Sequence, residues 1–191
     1  MKLLVTGFEP FGGEKLNPSW LAVEALPQRI GPWEIKKLRV PTVFGRAARL
    51  AIQAAEAWEA DAVLAVGMAK GRASVSLEAA ALNLRFARIP DNDGQSPKDT
   101  PIDETGPAAY FASVPYRRMA QAVLDAGIPA EVSFSAGVYV CNDLFYSLLR
   151  HFADTPVRVG FLHVPQLPRQ GEPSLPLDRT VSALAAAICA L

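Results

Sequence analysis

Residue types that serve as metal ligands and nucleophiles are scarce in this chain of 191 residues. It has two cysteines, Cys141 and Cys189, and two histidines, His151 and His163. Two cysteines cannot form the disulfide framework of small secreted domains, and no Cys/His spacing matches a zinc site. We therefore expect no metal and no cofactor, and a reducing, cytoplasmic compartment.

Net charge and long apolar runs are also absent. The chain carries 19 basic and 19 acidic residues, so no basic surplus favours nucleic acid. The apolar stretch 181–191 has about half of the roughly 20 residues that cross a bilayer. The apolar run 1–7 is too short for a signal peptide and predicts a buried first strand. We expect neither nucleic-acid nor membrane partners.

The pattern along the chain alternates between short apolar runs and helical periodicities. The length favours one domain over residues 1–191. The predicted strands are 2–6, 34–40, 62–67, 77–84, 131–134 and 157–164. The predicted helices are 18–25, 45–58, 116–126, 142–152 and 178–190. This alternation predicts an α/β fold with a central, mostly parallel sheet that helices cover on both faces.

Two loop regions and three strand ends are candidates for the functional rim. Residues 88–107 and 166–176 are rich in proline and polar residues and predict long loops, which are often functional. In parallel sheets, ligands bind at the carboxyl ends of the strands. Segments 7–13, 67–72 and 163–165 follow or end predicted strands, so parallel strands would bring them to one edge.

The two cysteines have different surroundings. Cys141 follows a glycine and begins a helical pattern, where free N–H groups and the helix dipole lower a thiol pKa and can bind an oxyanion. Cys189 lies near the end of an apolar helix and is expected to be a small core residue. Cys141 is thus the candidate nucleophile.

The histidines separate in the same way. His151 ends the helix that starts near Cys141, about 15 Å away at ~1.5 Å per residue, too far for a base. His163 ends an apolar strand at the predicted rim, so elimination pairs it with Cys141. Glu78 is a lone acid in an apolar stretch. It is either a buried partner of the histidine or an exposed strand residue, and spacing alone leaves both open.

Five segments together resemble the pyroglutamyl peptidases, also called pyrrolidone carboxyl peptidases. They are Val-Thr-Gly-Phe-Glu-Pro-Phe-Gly-Gly at 5–13 with Asn-Pro-Ser at 17–19, the Gly-x-Ala-x-Gly-Arg segment at 67–72 with Glu78, Ala-Arg-Ile-Pro-Asp-Asn at 87–92, Ser-Ala-Gly-x-Tyr-Val-Cys-Asn at 135–142, and Phe-Leu-His-Val-Pro at 161–165. They occur in family order across nearly the whole chain, which makes the combination specific.

The resemblance implies a three-layer α/β/α sandwich with a central, mostly parallel twisted sheet. It implies a Glu78, Cys141 and His163 triad, and a homotetramer in the cytoplasm. The oxyanion contact would be Arg88 with the Cys141 backbone N–H. The implied lactam pocket is Phe8, Phe11, Asn17, Thr42, Ile89, Tyr139 and Val140.

The implied reaction is removal of N-terminal pyroglutamate from peptides through a Cys141 thioester. Two alternatives stay open: a thiol amidase that acts on another cyclic amide, and a small-molecule-binding α/β module without catalysis. Two residues differ from the family pattern. Met68 replaces a frequent Gln or Leu, and Asp143 replaces a frequent His. An acid two residues past the thiol either modulates its pKa or is simply a favourable first-turn residue.

Overall fold

The computed structural model describes residues 1–191, with nine strands and five α-helices. The strands are β1 (Lys2–Phe8), β2 (Arg29–Ile30), β3 (Trp33–Val40), β4 (Ala62–Met68), β5 (Val75–Glu78), β6 (Ala80–Leu82), β7 (Ala109–Phe111), β8 (Ala130–Ser133) and β9 (Arg158–Val164). The helices are α1 (Pro18–Ala25), α2 (Arg46–Ala57), α3 (Tyr116–Asp125), α4 (Val140–His151) and α5 (Leu177–Cys189). A short 3₁₀ helix, Pro168–Gln170, lies in the predicted loop 166–176.

Seven strands form the central sheet in the order β2-β3-β1-β4-β9-β5-β8. Strands β3, β1, β4 and β9 are mutually parallel. The short β2 is antiparallel to β3, while β5 is antiparallel to β9 and parallel to β8. Six of the seven residues of β1 and of β4 are buried, as is typical of strands that helices cover on both sides. The predicted mostly parallel sheet is confirmed.

Helices cover both faces of this sheet and give three layers. On one face α5 packs against α1 and α3, and on the other α2 packs against α4. Successive side chains of a strand point to opposite faces, so one strand supplies both cores. In β1, Leu3 and Val5 join the core beneath α1, α3 and α5, while Leu4 joins the core beneath α2 and α4. The implied α/β/α sandwich is therefore confirmed.

The predicted strand 77–84 is wrong, because two strands of different sheets occupy this stretch. β5 belongs to the central sheet, whereas β6 pairs antiparallel with β7 in a separate two-stranded sheet. The change occurs at Ala79, whose N–H donates to Ser133 O at 2.7 Å and whose carbonyl accepts from Ala112 N at 2.9 Å. Residues 79–82, Ala-Ala-Ala-Leu, are all apolar, so the sequence pattern carries no sign of the break.

The chain has no helix that combines the length and the apolar character needed to cross a membrane.

Candidate active site

Glu78 and His163 lie on neighbouring strands of the central sheet. Because β5 is antiparallel to β9, Ser76 stands opposite His163 and Glu78 opposite Phe161. Residues that face each other across two strands share a face, as do alternate residues of one strand, so Glu78 and His163 are diagonal neighbours. Nδ1 of His163 lies 2.7 Å from Oε1 of Glu78. Both side chains are buried, so Glu78 is not the exposed strand residue of the second interpretation.

The Cys141 thiol approaches the same imidazole above Gly67. A Cβ atom at Gly67 would lie 2.9 Å from Cys141 Sγ, 2.9 Å from Phe161 Cζ and 3.1 Å from His163 Cδ2. Contacts this short would force the thiol and the imidazole away from the strand, so only glycine leaves room for both. The structure thus brings Cys141, His163 and Glu78 together at one point.

Cys141 is the second residue of α4, which begins at Val140, two residues before the predicted start at 142. The N-cap residue is Tyr139, and its side chain makes no capping hydrogen bond. The first N–H groups of a helix have no intrahelical acceptor, so this end can donate to an oxyanion. His151 ends the same helix, where its Nε2 contacts Glu56 Oε1 at 2.8 Å. As predicted, it takes no part in the site.

The expected lowering of the Cys141 pKa is wrong. Burial raises the pKa of this thiol to about 12, and the nearby Glu78 carboxylate adds to the increase. Arg72 and a backbone hydrogen bond at Cys141 itself act in the opposite direction without reversing it. A raised pKa favours the protonated thiol, so a base has to remove its proton during the reaction.

Arg72 is a part of the site that the sequence argument did not assign. Its Nη1 donates to Glu78 Oε1 at 2.7 Å, and its Nη2 lies 3.5 Å from Ser135 O. Burial raises the pKa of Glu78, but hydrogen bonds from His163 and Arg72 and the charge of a protonated His163 outweigh it and lower the pKa below its ordinary value. The Gly-Arg pair at the end of segment 67–72 was the sequence feature that could have indicated Arg72 as a site residue.

A shallow cleft adjoins these groups and has mainly apolar walls. Phe11 and Ile89 are shared by two hollows of about 270 Å³ and about 200 Å³. The first is also lined by Phe86, Arg88, Gly137, Val138 and Tyr139, and the second by Gly12, Glu14, Met68 and Lys70. The cleft borders the site through Tyr139, two residues before Cys141, and Met68, next to Gly67. Larger hollows of about 470 Å³ and 410 Å³ lie elsewhere, one along β2 and β3 and one at the end of α4 that holds His151.

The other residues of the implied pocket are buried. Phe8 packs in the core beneath α2 and α4, and Val140 is fully buried. Asn17 Nδ2 and Thr42 Oγ1 both donate to Glu9 O at 3.0 Å. The Asn17 side-chain carbonyl accepts from the backbone N–H and the hydroxyl of Ser19, so Asn17 is the N-cap of α1. Asn17 and Thr42 therefore fix the backbone of the segment after β1.

Two polar residues after the nucleophile hold α4 in place. Asn142 pairs with the backbone of Leu82 through both ends of its amide, at 2.8 Å each. Asp143 accepts from Arg85 Nε at 2.5 Å and from Gly45 N at 2.7 Å. The Asp143 carboxylate is thus fully engaged away from the thiol.

No group of three or more His, Cys, Asp and Glu side chains is arranged to hold a metal ion. The chemistry available at this site is that of a thiol, an imidazole and a carboxylate.

Comparison with protein families gives a match along the whole chain. The family model described as pyroglutamyl peptidase matches residues 1–191. The pyrrolidone-carboxylate peptidase of Levilactobacillus brevis is 48% identical, covering 100% of this chain and 97% of that protein. The pyrrolidone-carboxylate peptidase of Gloeobacter violaceus is 46% identical over 96% of this chain and 93% of its own.

Solved structures give the same result. Pyroglutamyl peptidase I of Bacillus amyloliquefaciens superposes with a TM-score of 0.95 at 42% identity, over 99% of this chain and 95% of that one. The pyrrolidone carboxyl peptidase of Thermococcus litoralis has a TM-score of 0.94 at 34% identity, over 98% and 91% of the two chains.

Proposed function

The chain belongs to the pyroglutamyl peptidase family, and from this premise we propose that it is a cysteine exopeptidase that removes N-terminal pyroglutamate from peptides and proteins. The observation that carries the proposal is the juxtaposition of Cys141 and His163 above Gly67, with Glu78 bound to His163 at 2.7 Å. This is the arrangement of nucleophile, base and orienting acid that acyl transfer requires.

In the proposed first step, Cys141 Sγ attacks the carbonyl carbon of the pyroglutamyl residue. His163 takes the thiol proton on Nε2, because Nδ1 is bound to Glu78. Because burial raises the pKa of Cys141, proton transfer to His163 is what supplies the nucleophilic sulfur. The ionised Glu78 then stabilises the imidazolium, as the acid of a triad does.

The tetrahedral intermediate needs hydrogen-bond donors for its oxyanion. We assign this role to the Cys141 backbone N–H at the start of α4 and to the exposed side chain of Arg88 in the cleft. The imidazolium returns the proton to the leaving amine, which departs and leaves a thioester on Cys141. Water, deprotonated by His163, hydrolyses the thioester and frees pyroglutamate.

Pyroglutamate is a neutral, flat lactam, so its site requires apolar walls and few hydrogen bonds. Phe11, Ile89 and Tyr139 supply such walls in the cleft. The Tyr139 hydroxyl donates to Pro90 O at 3.1 Å, which holds its ring in place. The buried Phe8, Asn17, Thr42 and Val140 complete the proposed pocket by shaping and fixing the backbone around it.

The domain organisation, cellular location and oligomeric state of the enzyme are also proposals. The resemblance supports one domain over residues 1–191, a cytoplasmic location and a homotetramer. Light scattering of the purified protein tests the assembly: a mass near four chains of 20.5 kDa supports the tetramer, and a monomer contradicts it.

A coumarin amide of pyroglutamate, beside prolyl and alanyl amides, tests the function. We expect release from the pyroglutamyl amide alone, abolished in Cys141→Ser and retained in His151→Ala. No release from any amide by the purified protein would support the binding module, and cleavage of a different cyclic amide would support the alternative amidase. Activity that survives Cys141→Ser would contradict the proposed nucleophile.

A further inference from the structure

One oxygen of Glu78 receives both of the strong hydrogen bonds at this carboxylate. His163 Nδ1 and Arg72 Nη1 each lie 2.7 Å from Oε1, while Oε2 has no partner. The proposed mechanism uses the bond to His163 and gives Arg72 no part. The guanidinium is nevertheless bound to the same atom that orients the base.

The charge of Glu78 needs a permanent partner. The side chain is fully buried, and an isolated buried carboxylate becomes neutral by taking up a proton. An imidazole carries a charge only when it is protonated, so His163 is not a permanent partner for this carboxylate. The guanidinium of arginine is charged at every relevant pH.

The other groups that face Glu78 do not provide a positive charge. Ser133 of β8 is neutral, and its hydroxyl donates to Ser135 O at 3.2 Å. Cys141 of α4 carries no positive charge as a thiol or as a thiolate. Glu131 of β8 is acidic and accepts a hydrogen bond from Ser76, two residues before Glu78. Arg72 is thus the only permanent cation that contacts this carboxylate.

The backbone before Arg72 directs its side chain over the site. Gly71 has a φ of +87°, a conformation that glycine adopts without strain, and it ends the turn after β4. The Arg72 side chain then reaches Glu78 at the end of β5 and Ser135 in the segment before α4. It is 29% exposed, so its charge is only partly screened by solvent.

We propose that Arg72 is a positioning residue of the hydrolytic reaction, whose guanidinium keeps Glu78 ionised and fixed so that Glu78 can orient His163 toward Cys141. The proposal rests on the proposed function for its hydrolytic readout. It adds a fourth member to the system that acts through Glu78 and does not touch the substrate.

Three variants separate this role from a general structural one. Arg72→Gln removes the charge and keeps a hydrogen-bond donor on a side chain two atoms shorter, and Arg72→Lys keeps the charge but loses the planar guanidinium. Arg150→Gln is the matched control, because it removes an exposed pair in which Arg150 Nε lies 3.0 Å from Asp103 Oδ2, at the far end of α4.

We expect Arg72→Gln to lower kcat roughly tenfold to hundredfold with little change in KM, the usual scale for losing one hydrogen bond to a charged group. The acid limb of its pH profile should move to higher pH, because Glu78 then takes up a proton more easily. Arg72→Lys should recover part of both effects, and Arg150→Gln should stay within twofold of the parent. If Arg72→Gln loses only thermal stability, with kcat and the pH profile unchanged, the proposal is wrong.

Alkylation of Cys141 gives a second readout that needs no substrate. In a Cys189→Ser background, which removes the exposed cysteine, iodoacetamide should react more slowly with the Arg72→Gln protein than with its parent. The reason is that an imidazole no longer oriented by a fixed, ionised Glu78 removes the thiol proton less effectively. Failure of the parent to cleave pyroglutamyl amides would overturn the proposed function alone, whereas equal alkylation rates would overturn the role of Arg72.

Discussion

Two buried carboxylates near the nucleophile are each paired with an arginine, yet their surroundings differ. Arg72 Nη1 lies 2.7 Å from Glu78, and Arg85 Nε lies 2.5 Å from Asp143; both acids are fully buried. Asp143 uses its second oxygen to accept from Gly45 N, so neither oxygen is free. Glu78 shares one oxygen between arginine and histidine and leaves the other unpartnered. The Arg72–Glu78 pair therefore supports the base His163. The Arg85–Asp143 pair instead belongs to the contact that joins α4 to the start of α2.

Replacing Glu78 should have the largest effect of all. Glu78→Gln keeps the shape but removes the charge that stabilises the imidazolium, and we expect kcat to fall on the order of 10³–10⁴-fold, as for the orienting acid of serine-protease triads. Steady-state hydrolysis of the pyroglutamyl amide measures the loss. Unchanged far-ultraviolet circular dichroism is the control for folding. A kcat within tenfold of the parent would contradict a catalytic role for Glu78 that Asp143 does not share.

Arg88 sharpens the comparison, because it is exposed in the cleft and forms no ion pair within the chain. Arg88→Ala should lower kcat by roughly 10²–10³-fold, the usual cost of one oxyanion donor. Its melting temperature should match that of the parent, since no internal contact is lost. A change confined to KM would instead assign Arg88 to substrate binding.

Asp143→Asn should mainly affect stability. The amide can still accept from Gly45, but Arg85 loses its counter-charge. Removing one partner of a buried pair costs roughly 3–5 kcal/mol. Because Arg85 is 26% exposed and partly solvated, we expect about 2 kcal/mol. Urea denaturation measures this change. Activity should remain within about tenfold, and a loss as large as that of Glu78→Gln would show that Asp143 also serves the reaction.

The smallest expected effect is on the pH dependence of stability. The folded protein holds the Glu78 pKa below 4.5, so the unfolded chain binds this proton at higher pH. The stabilisation is complete above about pH 4.5 and is lost as pH falls through the folded pKa, with a slope of at most about 1.4 kcal/mol per pH unit. Urea midpoints between pH 5 and pH 3 should fall less steeply in Glu78→Gln than in the parent. Equal slopes would contradict an ionised Glu78.

The sequence predicted the fold class, because apolar periodicity reports which faces are buried. It also predicted the pairing of Cys141 with His163, because so few candidates exist. The direction of β5 had no signal, since apolar side chains alternate identically in parallel and antiparallel strands. The break at Ala79 was missed for the same reason.

The sequence was a better guide to which residues lie near one another than to the pKa of the Cys141 thiol. The helix start at Cys141 suggested a thiol of low pKa, but burial has the larger effect. Burial depends on the packing of Phe161 and the β4 strand against α4, which no local pattern reports. Arg72 belongs to the segment 67–72, but its contact with Glu78 depends on the turn at Gly71 and on the strand order. Neither can be read from the local sequence.

The antiparallel pairing of β5 and β9 makes enzymatic activity a reporter of strand register. Glu78 reaches His163 only because Ser76 stands opposite His163. A slip of one residue would turn Glu78 to the other face of the sheet, while leaving helix content and much of the buried surface intact. Recovery of activity after dilution from denaturant thus follows the formation of the correct register, a step to which circular dichroism is insensitive.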